Sequence, residues 1–474
     1  MPPSASEPYA YLAFDLGASS GRAMLGRFDG RRMAMEAIHR FPTPLLEDGA
    51  RLYWDLEAIW PELQEGLRLA REAAPRLRSL SVDSWGVDYV PLDAKGRHVR
   101  KAYCYRDPRT QGMMEKAEAR APAAALYAAT GIQFIAINTL YQILADQEHE
   151  PGLFAQTANR LMIADYFNYR FSGRAVAEVS LASTTQLLNA RSRTWAFGLM
   201  EKFDIPPQSW PPVVPSATPL GPVIDDQSNI EVVAGCSHDT ASAVAAAPAE
   251  AGSAPWAYLS SGTWSLLGVE LPEPVLTEAA RRAGFTNEVG VGGSIRFLKN
   301  LTGLWVLQEC EREWKATGET VEYATLLAEA EAAPRSDGFV DLNEARFGLR
   351  GGMRQKLEAY CREHGLAVPL TRGAVVRLIL ESLAEGYRQT LRVLEDLLGR
   401  RIEVLHIVGG GSRNALLCQW TADACRCRVV AGPAEATALG NLLVQAKAMG
   451  DLPEGTSIRD VVRASCALRV FEPE

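Results

Sequence analysis

The first forty positions carry apolar residues in short blocks separated by turn-forming residues. Tyr9–Asp15, Arg22–Phe28 and Met33–Ile38 predict three strands, with Asp29-Gly30 as the hairpin turn between the last two. The period then changes. Ile59, Leu63, Leu67 and Ala70 recur at helical spacing behind Asp55, a side chain suited to capping a helix start. SLSVDSWGVDYVPLDAKGR returns to an apolar strand, a Trp-Gly turn, a second strand and a polar hairpin. The opening order is therefore β-β-β-α-β.

Residues 120–170 are mostly helical in pattern. Seven prolines between Ile205 and Val223 exclude a helix and predict an extended surface loop. EVVAGCSHDTASA, residues 231–243, reads as a buried strand running into a helix start. The small-residue stretch AAAPAEAGSAPW follows as a connector, which predicts two domains, 1–247 and 248–474. LKNLTGLWVLQ, residues 298–308, reads as an amphipathic helix. Val376, Ile379, Leu380, Leu383, Tyr387, Leu391, Leu394 and Leu398 fall on one face of a longer helix that Gly399 closes. Then come a strand (Glu403–Val408), GGGSRN, a helix (Asn414–Ala424), a strand (Arg428–Val430) and a further helix. That β-α-β unit implies a parallel sheet with helices on its faces.

One pattern occurs twice. AYLAFDLGASSGRAMLG (10–26) and AYLSSGTWSLLG (257–268) are each an apolar run, a turn of glycine and small hydroxyl residues, and a second apolar run. A turn of this kind exposes backbone N–H groups and hydroxyls to a phosphate chain. Two copies suggest related halves facing one ligand.

Bulk properties narrow the classes. With 474 residues, two domains are expected. A net charge of −8 argues against a general nucleic-acid binder and requires local dipoles, cations or a metal ion to receive an anionic substrate. The eight cysteines show no paired C-x-x-C spacing, and Cys425 and Cys427 form only a C-x-C. Buried, reduced thiols in a cytoplasmic protein are expected. MPPSASEP lacks a basic-then-apolar segment, so no signal peptide is expected, and no apolar run is long enough to span a membrane.

Four segments carry chemistry. In DLGASSGR, Gly17 and Gly21 allow a tight turn, Ser19 and Ser20 can donate, Arg22 adds charge, and Asp15 at the strand end can hold Mg²⁺ directly or through water; a plain polar turn is the alternative. SSGTWS (260–265) alone would be a turn, and its likeness to the first segment makes it a second phosphate loop. GGGSRN (409–414), between a strand and a helix, fits close backbone approach to a nucleotide, although it is not G-x-G-x-x-G. In SHDT (237–240), Asp239 beside His238 at a strand end is placed to take a proton from a hydroxyl attacking a γ-phosphate; helix capping is the competing role. Asp83 and Asp88 are alternative bases. VDSWGVDYV suits a sugar instead, with Trp85 offering a ring face, Gly86 close approach and Asp88 an acceptor; Trp85 could equally be core. A Ser-His-Asp hydrolase is disfavoured, because three neighbours in sequence do not converge and no G-x-S-x-G elbow is present.

Together, DLGASSGR, DSWGVDYV, YRDPRT, ATGIQFIAINTLYQ, MIADYFNYRFSG, SHDTASAV, YLSSGTWSLLG, LKNLTGLWVLQ and GGGSRN resemble, in order and over almost the whole chain, the FGGY carbohydrate kinases, a branch of the actin-like ATPase fold. The resemblance implies an α/β protein of two actin-like (ribonuclease H-like) domains, each a mixed sheet with flanking helices, and a ligand cleft between them. SHDTASAV, YLSSGTWSL and LKNLTGLW narrow it to the branch that phosphorylates L-rhamnulose at its 1-hydroxyl, with L-fuculose and L-xylulose as neighbouring alternatives. It implies ATP and Mg²⁺, a monomer or homodimer acting on small molecules, and no nucleic-acid or membrane partner. It places Ala18, Ser19, Ser20, Gly21 and Arg22 in the first phosphate loop with Asp15 at the metal. Gly86, His238, Asp239, Thr240 and Asn300 would surround the ketose, with Asp239 the proton acceptor. Thr263, Gln308 and Gly410 would meet the nucleotide. Asn300 and Gln308, eight apart, would share a helix face. Gly440-Asn441-Leu442 stands where many sugar kinases have Gly-Ala-Ala. A non-catalytic actin-like protein would keep the phosphate loops without SHDTASA and DSWGVD, and a sugar binder without chemistry would not need three nucleotide-type loops.

Overall fold

The computed structural model describes residues 8–224, 229–250, 252 and 254–474. The expectation of no signal peptide at residues 1–7, and the part of the connector at Ala251 and Ser253, lie outside the described residues. The chain forms two compact units, each drawn from separated stretches. One comprises Met1–Ala246, Glu270–Phe297 and Ala436–Ser465; the other comprises Ala247–Val269, Leu298–Glu435 and Cys466–Glu474.

The first unit opens with β1 (Tyr9–Leu16), β2 (Ser20–Phe28), β3 (Met33–Pro42), α1 (Leu56–Ala73) and β4 (Leu77–Ser84), the elements that the pattern predicts, with an additional hairpin between β3 and α1. Farther on are β5 (Thr218–Pro222), β6 (Glu231–Ala234) and α2 (Asp239–Ala245). The sheet runs β5-β6-β4-β1-β2-β3, with β6, β4 and β1 parallel and the others antiparallel to their neighbours. β1 is central, and every residue from Ala10 to Leu16 is buried. Asp55 accepts from Ala58 N at 3.1 Å and starts α1, whose Ile59, Leu63, Leu67 and Ala70 are buried. Each large side chain so buried contributes about 1.5–3 kcal/mol.

The proline-rich stretch is not wholly a loop. Thr218–Pro222 forms β5, at the sheet edge, where a proline withholds no hydrogen bond that an inner strand needs. A short hairpin, Leu45–Asp48 with Arg51–Trp54, precedes α1 without a strong alternating signal.

The second unit contains β7 (Trp256–Ser261) and most of β8 (Trp264–Leu271) and β9 (Ile295–Thr302). It also contains α3 (Trp305–Ala316), α4 (Arg372–Leu398), β10 (Val404–Val408), α5 (Ala415–Cys425) and β11 (Arg428–Ala431). β7 pairs antiparallel with β8 and parallel with β10, and β10 is parallel to β11. The same device appears in the first unit, where β1 pairs antiparallel with β2 and parallel with β4. α4 starts at Thr371, which accepts from Ala374 N, and ends at Gly399, whose φ of 62° closes the last turn. After β11 the chain returns to the first unit as α6 (Ala436–Ala448) and α7 (Ile458–Ser465). Strand β12 (Arg469–Phe471) then pairs antiparallel with β11.

The helix expected over LKNLTGLWVLQ is corrected. Residues through Thr302 belong to β9, and helix begins only at Trp305. Gly303 breaks the run because it lies against the β7–β8 turn. A Cβ there would fall 2.5 Å from the Trp264 carbonyl carbon and 2.6 Å from Gly262 O. Asn300 and Gln308 therefore do not share a helix face. All eight cysteines are free thiols. Among the described residues no helix is long and apolar enough to cross a membrane.

Candidate active site

Three parallel strands of the first unit carry acids at or just beyond their carboxyl ends, the edge where open α/β sheets receive ligands. Asp15 on β1 and Asp83 on β4 are register partners. Beyond β6, Ser237 O accepts from Ser84 N at 2.9 Å, and Ser84 and His238 form an isolated bridge. Gly86 and the Ser237–Thr240 segment thus lie on adjoining strand extensions.

The β1–β2 turn is tied by Gly17 N donating to Ser20 O at 3.0 Å, and Thr43 Oγ1 donates to Gly17 O at 2.9 Å. Ala18 is half-buried, and Ser19 and Ser20 are exposed. Gly21 has a packing reason as well, since a Cβ there would overlap the Phe41 ring. Arg22 forms an ion pair with Asp15 and so fixes that carboxylate.

Asp83 is fully buried. Burial pushes its carboxyl well above the usual range; Asp15 and Asp239 add to the rise, while the Asn441 hydrogen bond and Arg22 oppose it. Asn441 of α6 donates to Asp83 Oδ2 at 2.6 Å and accepts from Gln445 Nε2 at 2.8 Å. The Gly440-Asn441 pair has two distinct tasks. Gly440 lets α6 approach α2, because a Cβ there would overlap Ser242 O, and Asn441 supplies the donor. Nothing in the hydrophobic pattern singles out Asn441.

Asp239 is the first residue of α2 and half-buried. Its Oδ1 accepts from Thr240 N at 2.5 Å and Thr240 Oγ1 at 3.1 Å, and His238 Nε2 lies 3.4 Å away. The preceding segment is anchored from below. The buried Glu178 carboxylate accepts from Ser237 N at 3.1 Å, from Ser180 N and Leu181 N, and from Ser216 Oγ. These hydrogen bonds offset the cost of burying the group.

DSWGVD divides differently from expectation. Asp88 accepts from Trp54 Nε1 at 2.6 Å, Gln142 Nε2 at 2.8 Å, Trp85 Nε1 at 3.0 Å and Tyr105 N at 3.1 Å. It is fully buried, so its acceptor capacity serves the protein rather than a sugar. Trp85 is core, its ring 4.0 Å from that of Trp54. Gly86 keeps its reason, because a Cβ would lie 2.9 Å from the Thr184 side chain. Val87 beside it has φ 67°, an outlier for a β-branched residue, held by Thr184 Oγ1 on its N–H and Thr139 Oγ1 on its carbonyl.

In the second unit the β7–β8 turn receives the start of α3. Leu304 N donates to Gly262 O at 2.9 Å and Trp305 N to Thr263 O at 3.2 Å. Thr263 Oγ1 then donates to Gln308 Oε1 at 3.2 Å, which joins two of the expected nucleotide residues. The glycine run divides by role. Gly409, at φ 83°, and Gly411 lie against Ser261, where a Cβ on Gly411 would overlap the Ser261 hydroxyl. Gly410 is exposed, with open space where its Cβ would be, and is the member free to meet a ligand. Arg413 pairs with Glu435 at 2.6 Å, and Asn414 caps α5 through Leu417 N. Asn300 lies half-buried on β9.

The N-terminal domain of the FGGY family of carbohydrate kinases matches residues 10–246, and the family's C-terminal domain matches residues 257–449. A Bacteroides thetaiotaomicron protein named rhamnulokinase is 38% identical over 470 residues, spanning 98% of this chain and 96% of its own. A rhamnulokinase of Klebsiella pneumoniae is 41% identical, spanning 98% of this chain and 94% of its own. Among solved structures, gluconate kinase from Lactobacillus acidophilus superposes with a TM-score of 0.81 at 16% identity, covering 98% of this chain and 94% of its own. Xylulose kinase from Rhodospirillum rubrum superposes with a TM-score of 0.77 at 21% identity, covering 98% and 94%. At those identities the structures show a shared two-domain sugar-kinase fold.

Proposed function

Because the chain belongs to the FGGY family of carbohydrate kinases, we propose that it transfers the γ-phosphoryl group of ATP to the 1-hydroxyl of L-rhamnulose. The products are L-rhamnulose 1-phosphate and ADP, in the breakdown of L-rhamnose. The relatives named rhamnulokinase, at 37% to 41% identity over nearly the whole chain, support the choice of ketose. The observation that carries the chemistry is Asp239. Its Oδ1 is fixed by Thr240, whereas its Oδ2 has no hydrogen-bond partner among the described residues and belongs to a side chain about one-third exposed (32%).

Phosphoryl transfer asks little covalent work of a protein and much positioning. The 1-hydroxyl gives its proton to Asp239 Oδ2 as its oxygen attacks. Gly86, His238, Thr240 and Asn300 hold the ketose. Ala18, Ser19, Ser20 and Gly21 receive phosphate oxygens at the first turn; Thr263, with Gln308 behind it, does so at the second, and Gly410 lies under the adenosine. Arg22 acts through Asp15 by holding its carboxylate. Exclusion of water once both substrates are bound protects ATP from hydrolysis.

Asp15 fits Mg²⁺. Among the described residues no group of three or more His, Cys, Asp or Glu forms a metal cage. One carboxylate, with water and phosphate oxygens completing the shell, is the donor set that this ion takes with nucleotides. When bound, the ion neutralises charge on the phosphates. The enzyme acts in the cytoplasm as a monomer or homodimer, and its eight free thiols fit a reducing compartment.

An ADP-release assay over a panel of ketoses and polyols, with and without Mg²⁺, tests the reading. L-rhamnulose is expected to give the highest kcat/KM. Preference for L-fuculose or L-xylulose would move the substrate within the family, and activity confined to glycerol or D-xylulose would overturn the choice of sugar.

A further inference from the structure

His238 is held from behind by a buried ion pair that the reaction as described does not use. Arg296, on the first-unit part of β9, is fully buried. Its Nη2 lies 3.0 Å from His238 Nδ1 and 3.0 Å from Glu288 Oε2. Glu288 Oε2 is itself 3.3 Å from His238 Nδ1. On the other side of the ring, Nε2 is 3.4 Å from Asp239 Oδ1.

A guanidinium only donates hydrogen bonds, so the atom that faces it must accept. Nδ1 therefore presents a lone pair, and a neutral His238 carries its proton on Nε2. That nitrogen lies on the Asp239 side of the ring, at ion-pair rather than hydrogen-bond range from the carboxylate. Glu288 keeps the guanidinium in place, with a second acceptor for Nη2. Burial alone would raise the Glu288 carboxyl; the Arg296 charge opposes it, and the carboxyl is held below the usual glutamate range.

We propose that Arg296, braced by Glu288, is a positioning residue for phosphoryl transfer that fixes the Nε2–H form of His238, so that the ring offers an N–H, and not a lone pair, on the side where Asp239 takes the proton. This rests on the reading of Asp239 as proton acceptor. Without the lock, both neutral forms of the ring would be populated, and the form with a bare Nε2 offers no donor on the Asp239 side. The second-layer partner of a metal-bound histidine selects a tautomer in the same physical way.

Nitrogen-15 NMR of the histidine-labelled full chain at pH 7.5 reads the tautomer directly. The signal is assigned by its loss in His238→Asn among the six histidines. The expected result is a neutral ring protonated at Nε2 in the wild type. Arg296→Met should mix the tautomers and lower kcat by roughly 10- to 100-fold, less than the ~10²–10⁴-fold of losing a general base, with the KM for ATP unmoved. Arg296→Lys, which still donates, should recover part of the rate. A ring protonated at Nδ1, or at both nitrogens, in an active wild type overturns the inference. The wild-type spectrum decides this even if Arg296→Met does not fold. Absence of ketose-dependent ADP release would instead defeat the kinase reading and leave the tautomer assignment standing.

Discussion

Asn441 Nδ2 donates to Asp83 Oδ2 across 2.6 Å, and both residues are fully buried. The contact joins α6 to the carboxyl end of β4, 358 positions away in sequence. It places a neutral amide, not a cation, beside an acid that neighbours Asp15. Asn441→Ala removes this bond and the one from Gln445 Nε2. Each buried group so stranded costs about 1–3 kcal/mol, so the urea midpoint should fall clearly. Asn441→Asp is expected to be worse, and more so at pH 8 than at pH 5.5. A shared proton raises the folded-state pKa of such a pair above its unfolded value, and the associated stability is lost as pH rises. An Asn441→Asp protein as stable at pH 8 as at pH 5.5 would contradict this account.

The glycine run offers a contrast inside four residues. Gly411→Ala would push a methyl into the Ser261 hydroxyl, whereas Gly410→Ala meets open space. The first substitution should lower the melting temperature, since overpacking costs about 1–3 kcal/mol. The second should leave melting unchanged and raise the KM for ATP. Equal melting temperatures for the two variants would remove the distinction drawn between packing and ligand glycines.

Asp88 makes stability depend on pH. Burial pushes its carboxyl from the ordinary value up to about 6, against the hydrogen bonds from Trp54, Gln142, Trp85 and Tyr105. The folded pKa lies above the unfolded one, so its contribution is full below about pH 4 and lost as pH rises through 6, by at most ~3 kcal/mol. Asp88→Asn cannot accept on its NH₂ side and will be weaker throughout, so the slope is what matters. The difference in urea stability, wild type minus Asp88→Asn, should fall between pH 4.5 and 6.5 and then level off. A difference that grows with pH would show the carboxyl to be stabilised as a charge.

Much of the fold was legible in local pattern. The β1–β2 and β7–β8 hairpins, α1 with its Asp55 cap, α4 with Gly399 and the β10–α5–β11 unit each announce themselves by period and terminators. Asp239 was legible because a strand running into a helix start puts an acid at a sheet edge. Other features depend on distant partners. Gly303 ends a strand because of Gly262 and Trp264, and that contact outweighs the amphipathic pattern of LKNLTGLWVLQ. Asp88 reads as a sugar acceptor until Trp54 and Gln142 claim its oxygens. Asn441, Glu288 and Arg296 are polar residues in buried positions, and a sequence gives no sign of the partner that makes burial tolerable.

The central claim is that Asp239 accepts the proton of an L-rhamnulose hydroxyl as ATP gives up its γ-phosphoryl group. The most direct measurement compares wild type and Asp239→Asn, with ADP release and L-rhamnulose 1-phosphate formation followed at saturating Mg²⁺-ATP, and ketose binding measured separately by calorimetry. The account predicts wild-type turnover that requires L-rhamnulose, and a variant that still binds the ketose but turns over ~10²–10⁴-fold or more slowly. Near-normal turnover by Asp239→Asn would contradict it, as would a wild type that pellets on adding ATP and releases no ketose-dependent ADP.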